Sequence, residues 1–373
     1  MKKKRQKKIL SLREIKSFSK LNQNYLDIDK DEFINLVNIC TGLYNPVNNF
    51  SNLKDVNSIL KNSRITSQKK WTIPILLSGR NNPIFKKKNF YQLKYQSKTV
   101  GCIKFKNFFK INKKEFSKKI FNTSSSLHPG VKKIYDVKKN FFVDCECFLL
   151  HKAIPKDKYF KKILALKKSK KKSLLKNSVA FSTRNICHKG HEHIHKYLEK
   201  KFQNLFIAVI QTSQNKYNPR LIYKTYELLN NYKKKKYKII SIFLPLFFAG
   251  PKEAFIQSQI IKNIGIKSFL VGRDHAGVKN FYGKYSSQEF FSKNKIKKPK
   301  IVKVKEPLIC LNCFNIKFSD QIKKCNFCYK IARFSGIDGK NVKNLIKSNQ
   351  EKKIKIFLNS KIINFIKKNK SLI

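Results

Sequence analysis

Between Ser178 and about Lys305 the chain alternates two kinds of apolar pattern, and this alternation limits its possible folds more than any other feature. Apolar runs at 178–181, 205–210, 239–246 and 268–271 are separated by helical patterns at 193–202, 219–232 and 251–264. Strands that alternate with helices of this length are joined by crossovers, which gives a parallel sheet with helices on both faces and an α/β fold class. Pro251 opens one of the helical patterns at the first helical position, and Gly265 closes it. Ligands of such sheets sit beyond the carboxyl ends of the strands.

One of those strand ends carries Ser182-Thr183-Arg184-Asn185-Ile186-Cys187-His188-Lys189-Gly190-His191-Glu192. A turn from strand to helix leaves N–H groups unpaired at the positive end of the helix dipole and so seats an anion. Arg184 adds a planar fork of donors for an oxyanion. His188 and His191, three residues apart around Gly190, can turn two imidazole N–H groups toward one phosphate, the geometry of nucleotidyl transfer. A second motif, Gly272-Arg273-Asp274-His275-Ala276-Gly277, follows the run at 268–271. Residues 191–195 also spell His-Glu-x-x-His, a zinc protease signature. That signature belongs inside a long helix, whereas Gly190 and a strand lie just upstream here. The match is read as coincidence, with His193 and His195 as helix-surface residues.

Composition restrains the reading of partners. The chain has 373 residues, enough for two or three domains, and 41% hydrophobic content, enough for folded cores. Its formal charge of +63 suggests a nucleic-acid or membrane-surface protein, but only eight of its 84 basic residues are Arg. Lys, Asn, Ile and Phe, all with A/T-rich codons, dominate the whole length. Dispersed Lys of this kind is read as compositional drift rather than a specific nucleic-acid surface. No run of 18 apolar residues exists, and the basic start Met1-Lys2-Lys3-Lys4-Arg5 lacks an apolar segment before a cleavage site, so neither a membrane span nor a secretory signal is expected.

Residues 1 to about 165 read as mixed α and β, with helical patterns at 31–40 and 53–61, strand-like runs at 71–77, 99–105 and 140–150, and a loop at 41–47. The stretch 161–176 is a connecting helix or a solvated linker. In the tail, Cys310-x-x-Cys313 and Cys325-x-x-Cys328 are separated by eleven residues, a spacing that closes four thiolates around a structural zinc ion. Cys40, Cys102, Cys145, Cys147 and Cys187 show no such spacing and are read as buried or incidental thiols. Cysteine used in this way suits a reducing cytoplasm.

Taken together, the motifs resemble those of the ATP sulfurylase, or sulfate adenylyltransferase, family in its zinc-containing bacterial and archaeal form. Ser182 to Glu192 is similar to Gln-Thr-Arg-Asn-Pro-x-His-x-Gly-His-Glu, and 272–277 to Gly-Arg-Asp-His-Ala-Gly. Phe248-Ala249-Gly250-Pro251-Lys252-Glu253-Ala254 resembles Tyr-Ala-Gly-Pro-Arg-Glu-Ala, and 281–285 resembles Tyr-Tyr-Gly-x-Tyr. Tyr44-Asn45-Pro46-Val47, Trp71-Thr72-Ile73-Pro74 and His128-Pro129-Gly130-Val131 look like three further family motifs in the same order.

The resemblance implies a PUA-like β-rich domain at 1–170, a Rossmann-like nucleotidyltransferase domain at 171–305 and a small zinc-containing helical region at 306–373. It implies transfer of the adenylyl group of ATP to sulfate, giving adenosine 5'-phosphosulfate and pyrophosphate, or the reverse, in a cytoplasmic homodimer. Thr183, Arg184, Asn185, His188 and His191 would be catalytic. ATP would meet Ser182, Thr183, Arg184, Asn185, Gly272, Arg273, Asp274 and His275, with Mg2+ on its phosphates. Sulfate would meet Ser182, Arg184 and the backbone near Ala276. Cys310, Cys313, Cys325 and Cys328 would hold zinc. Four positions depart from the family: Ser182 replaces Gln, Ile186 replaces Pro, Phe247 replaces Arg and Lys343 replaces Arg. A noncatalytic nucleotide or RNA binder that keeps the fold is the alternative. The chain has no Gly-x-x-x-x-Gly-Lys-Ser/Thr segment for a fused kinase.

Overall fold

Apolar runs bring backbone N–H and C=O groups into the interior, where each needs a partner, and the chain meets this need with three sheets among its described residues. The structure is a computed structural model describing residues 7–19, 25–79, 85–136, 140–169, 173–215, 217–232, 237–278, 280–322, 333–337, 339–348, 350–369 and 371. It divides into two units. One joins Met1–Lys167, Phe243–Ile264 and Asp274–Phe291, and the other joins Lys168–Ile242, Gly265–Arg273 and Ser292–Ile373.

The first unit holds β1 (Ile9–Leu10), β2 (Tyr25–Asp27), β3 (Phe90–Tyr95), β4 (Lys98–Phe109) and β5 (Phe142–Leu150) in the order β1-β5-β4-β3-β2. β4 runs antiparallel to both neighbours. Gln96 and Ser97, with φ of 49° and 59°, make the mirror-image two-residue turn whose twist matches the flanking strands. No Asn-Gly or Asp-Gly pair announces that turn, which is why β3 has no counterpart among the runs read from the sequence. Helix Lys158–Lys168 covers the first half of the 161–176 stretch. Cys40, Cys102, Cys145 and Cys147 are buried, and burial pushes the Cys102 thiol up to about 12.

The strand expected at 71–77 does not form. Trp71, Ile73, Ile75 and Leu77 are buried, but Pro74 supplies no N–H, and the stretch reaches the sheet only through a bridge from Ser78 to Phe142. Other groups satisfy its backbone. Ile75 exchanges hydrogen bonds with Ser51, and the Ser78 N–H donates to Glu32 Oε1 at 2.9 Å. Glu32 also closes the capping box of helix Lys30–Cys40, its Oε2 accepting from the Asp29 N–H at 2.8 Å. One buried carboxylate thus joins a helix start to the extended segment.

The second unit holds β6 (Ser178–Thr183), β7 (Asn204–Gln211), β8 (Lys238–Phe243), β9 (Ser268–Val271) and β10 (Lys300–Lys303) in the order β10-β9-β6-β7-β8. β6 is parallel to β7 and β9, and β9 to β10. β6 and β7 are apolar almost throughout because both of their faces are buried. The chain winds outward from β6 through β7 to β8, then restarts on the other side of β6 with β9. That reversal is a topological switch point, and it falls between β6 and β9. The region after 305 is not purely helical: β11 (Pro307–Cys310), β12 (Ile316–Phe318) and β13 (Phe334–Gly336) form an antiparallel sheet ahead of helices Gly339–Lys347, Glu351–Phe357 and Ser360–Lys368. Among the described residues, no helix is long and apolar enough to cross a membrane.

Removing the Glu32 carboxylate strands two backbone N–H groups. Glu32→Ala is expected to lower unfolding free energy by about 2–4 kcal/mol, read from chemical denaturation. A loss below about 0.5 kcal/mol would show that the two N–H groups find other partners.

Candidate active site

The switch point sets the ends of β6 and β9 side by side. Val179 pairs with Ser268 and Ala180 with Phe269, so the register brings Val271 level with Ser182. The first motif leaves the sheet from one strand end, and Gly272 and Arg273 leave it from the other. Ser182, Thr183, Arg184, Asn185, His188, His191, Gly272 and Arg273 therefore share one edge of the second unit.

Local hydrogen bonds shape the first loop. The Thr183 hydroxyl accepts from the Asn185 N–H at 3.0 Å and donates to the Asn185 carbonyl at 3.2 Å, folding the chain back at Arg184. Ile186 and Cys187 are fully buried, and the Cys187 N–H is held by Thr225 of helix Pro219–Tyr232. Ile186 thus acts as an apolar plug where the resembled family has Pro. The Ser182 hydroxyl oxygen and Asn185 Oδ1 are buried without a hydrogen-bond partner among the described residues. Both oxygens lie at the strand end, where a ligand or water could meet them.

Helix Lys189–Glu199 begins four residues before its apolar pattern. Its N-cap is His188, whose Nδ1 accepts the His191 N–H at 3.3 Å. An imidazole that accepts through Nδ1 carries its neutral-state proton on Nε2, so the cap fixes the tautomer as well as the ring. The His188 and His191 rings stack with centroids 3.7 Å apart. His191 also meets the Tyr226 hydroxyl at 3.4 Å and the edge of Phe181. Burial, followed by repulsion from His188 and His195, holds His191 well below the ordinary imidazole range. It is therefore neutral at pH 7.

The reading of His193 and His195 as surface residues needs correction. His195 is fully buried among Phe181, Tyr226 and Tyr237, and His193 packs on Phe318 with centroids 4.7 Å apart. The sheet β11-β12 covers what a lone helix would expose. Among the described residues, no group of three or more His, Cys, Asp or Glu side chains is placed to hold a metal ion, so His-Glu-x-x-His finds no third ligand there.

Two features that sequence reading missed complete the edge. Gly339 opens helix Gly339–Lys347 so close to Asn185 that an added Cβ would lie 2.5–2.6 Å from its amide atoms. Tyr217 reaches the Gly339 carbonyl at 3.4 Å and carries the Lys343 ammonium 4.9 Å above its ring. Only the positions of Gly339 and Tyr217 after folding reveal this, since both are remote from the motifs in sequence. Arg273 pairs with Glu306 at 3.2 Å, while its Nε is buried without a hydrogen-bond partner among the described residues.

Asp274, His275 and Ala276 belong to the first unit. Asp274 and Ala276 have φ of 50° and 58°, and a Cβ added at Gly277 would displace the Asp274 carboxylate. His275 Nε2 meets Gln257 Oε1 at 3.0 Å, and the His275 carbonyl accepts from Ser287.

In the tail, Cys310 is buried at the end of β11. The Phe314 N–H donates to the Cys310 carbonyl at 2.8 Å, and Phe314 adopts a φ of 59°. Asn315 Nδ2 lies 3.5 Å from Cys313 Sγ. Cys325 and Cys328 lie outside the described residues.

Residues 157–369 match the family model described as ATP-sulfurylase, and residues 4–150 match one described as a PUA-like domain. The chain is 33% identical over 271 residues to the sulfate adenylyltransferase of Pyrococcus abyssi, covering 71% of each protein. It is 32% identical over 330 residues to that of Carboxydothermus hydrogenoformans, covering 82% of this chain and 83% of the relative. A solved hexameric APS kinase from Thiobacillus denitrificans superposes with a TM-score of 0.67 at 10% identity, over 95% of this chain and 65% of that one. At that identity the likeness concerns the fold alone.

The depressed basicity of His191 makes stability depend on pH. The unfolded imidazole binds a proton near pH 6.5 and the folded one resists it, so the contribution is complete above that pH and is lost as pH falls. His128 and His193 are lowered too, in each case chiefly by burial. Unfolding free energy should therefore decline from pH 7 to pH 5. His191→Gln should flatten that slope by up to about 1.4 kcal/mol per pH unit, measured by denaturation at each pH. An unchanged slope would remove His191 from the coupling.

Proposed function

The chain belongs to the ATP sulfurylase family, and we infer that the loop after β6 is where it transfers the adenylyl group of ATP to sulfate, giving adenosine 5'-phosphosulfate and pyrophosphate, or runs the reverse. In the forward direction a sulfate oxygen forms a bond to the α-phosphorus as the bond to the pyrophosphate oxygen breaks. No proton need move. The difficulty is electrostatic, since a dianion approaches a polyanion, so the protein's work is positioning and charge neutralisation.

Each residue at the β6 edge has a part in this reading. Arg184 grips sulfate with its guanidinium fork, assisted by Ser182, whose buried hydroxyl oxygen lacks a partner among the described residues. Asn185 faces the α-phosphoryl group, and Thr183 holds the turn that presents it. His188 donates through Nε2–H to charge developing on the departing pyrophosphate, with the stacked His191 beside it. Gly272 and Arg273 line the nucleotide side, and Asp274, His275 and Ala276 keep the roles that the family resemblance gives them. The observation that carries this assignment is the His188 cap, because it orients one imidazole and selects its tautomer before any substrate arrives. The relatives reported above are sulfate adenylyltransferases, and the noncatalytic reading gains nothing from them.

Magnesium enters on the β and γ phosphates of ATP as part of the substrate. The expectation of structural zinc rests on the Cys310-x-x-Cys313 and Cys325-x-x-Cys328 spacing, and these four thiolates would hold it. Bound there it supplies fold closure and no chemistry. A cytoplasmic homodimer completes the proposal, with the buried thiols Cys40, Cys102, Cys145 and Cys147 suiting a reducing compartment.

One substitution separates the tasks of His188. Asn is a good N-cap, so His188→Asn should keep the melting temperature within about 3 °C while lowering turnover roughly a hundredfold or more. Normal turnover in His188→Asn would leave the residue as a cap only. For zinc, Cys310→Ser should lower metal content and thermal stability together. Substoichiometric zinc in carefully purified wild-type protein would remove the site.

A further inference from the structure

The first unit encloses a cavity that the chemistry above does not use. Ile73, Phe116, Phe121, Phe142 and Phe247 line it, and its volume is about 90 Å³. Asp31, Glu32 and Lys133 form a polar corner. Both Glu32 oxygens accept backbone N–H groups, from Asp29 and Ser78. Lys133 donates to Asp31 Oδ2 and, at 3.4 Å, to the Leu246 carbonyl. Asp31 Oδ1 remains, buried and without a hydrogen-bond partner among the described residues.

These groups specify a ligand chemistry. An unpaired buried carboxylate oxygen costs free energy that an entering donor recovers. Two carboxylates against one ammonium leave the corner with one net negative charge, in a chain whose formal net charge is +63. ATP and sulfate are excluded by sign, and the phenylalanine walls disfavour any strongly hydrated ion. What fits is a cationic donor on an apolar body. Phe247 stands where the resembled family carries Arg, whose guanidinium would bring donors of its own to this wall.

We propose that this cavity binds a small primary ammonium carried on an aromatic or branched apolar body, its N–H groups donating to Asp31 Oδ1 and its body packing among the phenylalanine rings.

Phenethylamine, 2-phenylethanol and phenylacetate share a body of similar size and differ in the head group. Each is titrated calorimetrically into the full chain at about 0.15 M salt, which screens the Lys surface. Phenethylamine is expected to bind saturably. The alcohol should bind about tenfold or more weakly, the effect of losing a charge-assisted hydrogen bond, and phenylacetate should give no binding heat. Phe247→Arg, at a half-buried wall position, should abolish the amine's binding. If that variant fails to fold, Asp31→Asn serves instead and should erase the preference for amine over alcohol. The proposal is overturned by phenylacetate binding as tightly as the amine, by absence of saturable amine binding, by amine binding that survives Phe247→Arg, or by a preference that survives Asp31→Asn.

Discussion

One hydrogen bond organises the catalytic edge: the His191 N–H donating to His188 Nδ1 across the first turn of helix Lys189–Glu199. A helix start leaves N–H groups that need acceptors, and a cap is usually a short oxygen side chain. Using an imidazole instead makes helix formation itself set the orientation and protonation of a chemical group. The burial around it follows from the same geometry. With His188 fixed, His191 stacks on it and is pressed against Phe181 and Tyr226, which keeps that second ring neutral. In the proposed site the cation that meets the anion is then Arg184, at the Thr183–Asn185 turn.

Much of this layout is legible in the chain itself. Parallel strands buried on both faces read as continuous apolar runs, so β6, β7 and β9 appear clearly, and Pro251 and Gly265 bracket a helix from first residue to last. A motif at a strand end next to a helix start is local, so the loop from Ser182 to His191 needs no tertiary information. Other features do. The segment 71–77 has the alternation of a strand and the burial of one, but Pro74 and the side chains of Glu32 and Ser51 replace the ladder. His195 looks like a surface residue until Tyr226 and Tyr237 close over it. Gly339 and Tyr217 carry no motif, and their place beside Asn185 and Lys343 exists only after the tail has folded.

The Lys excess is spread over the whole length, whereas in the proposed site the substrates would meet particular donors: the guanidinium groups of Arg184 and Arg273 and the imidazoles of His188 and His191. Screening at physiological salt acts strongly on the dispersed charges and weakly on half-buried ones. Specific anion recognition therefore rests on a few fixed groups even at a formal charge of +63. The acidic corner of the cavity in the first unit follows the same logic with the sign reversed, since two carboxylates retained in a basic chain define an environment the surface does not share.

We propose that the loop after β6 neutralises sulfate and nucleotide through Arg184. The most direct test is pyrophosphate release from ATP and magnesium, followed as sulfate is raised, for the wild-type chain and Arg184→Ala. Saturable, sulfate-dependent release is expected from the wild type, with a loss of a hundredfold or more in kcat/KM for sulfate in the variant, about 2.7 kcal/mol or more in transition-state binding. Release that does not depend on sulfate, or an Arg184→Ala variant that keeps the wild-type response, would contradict it.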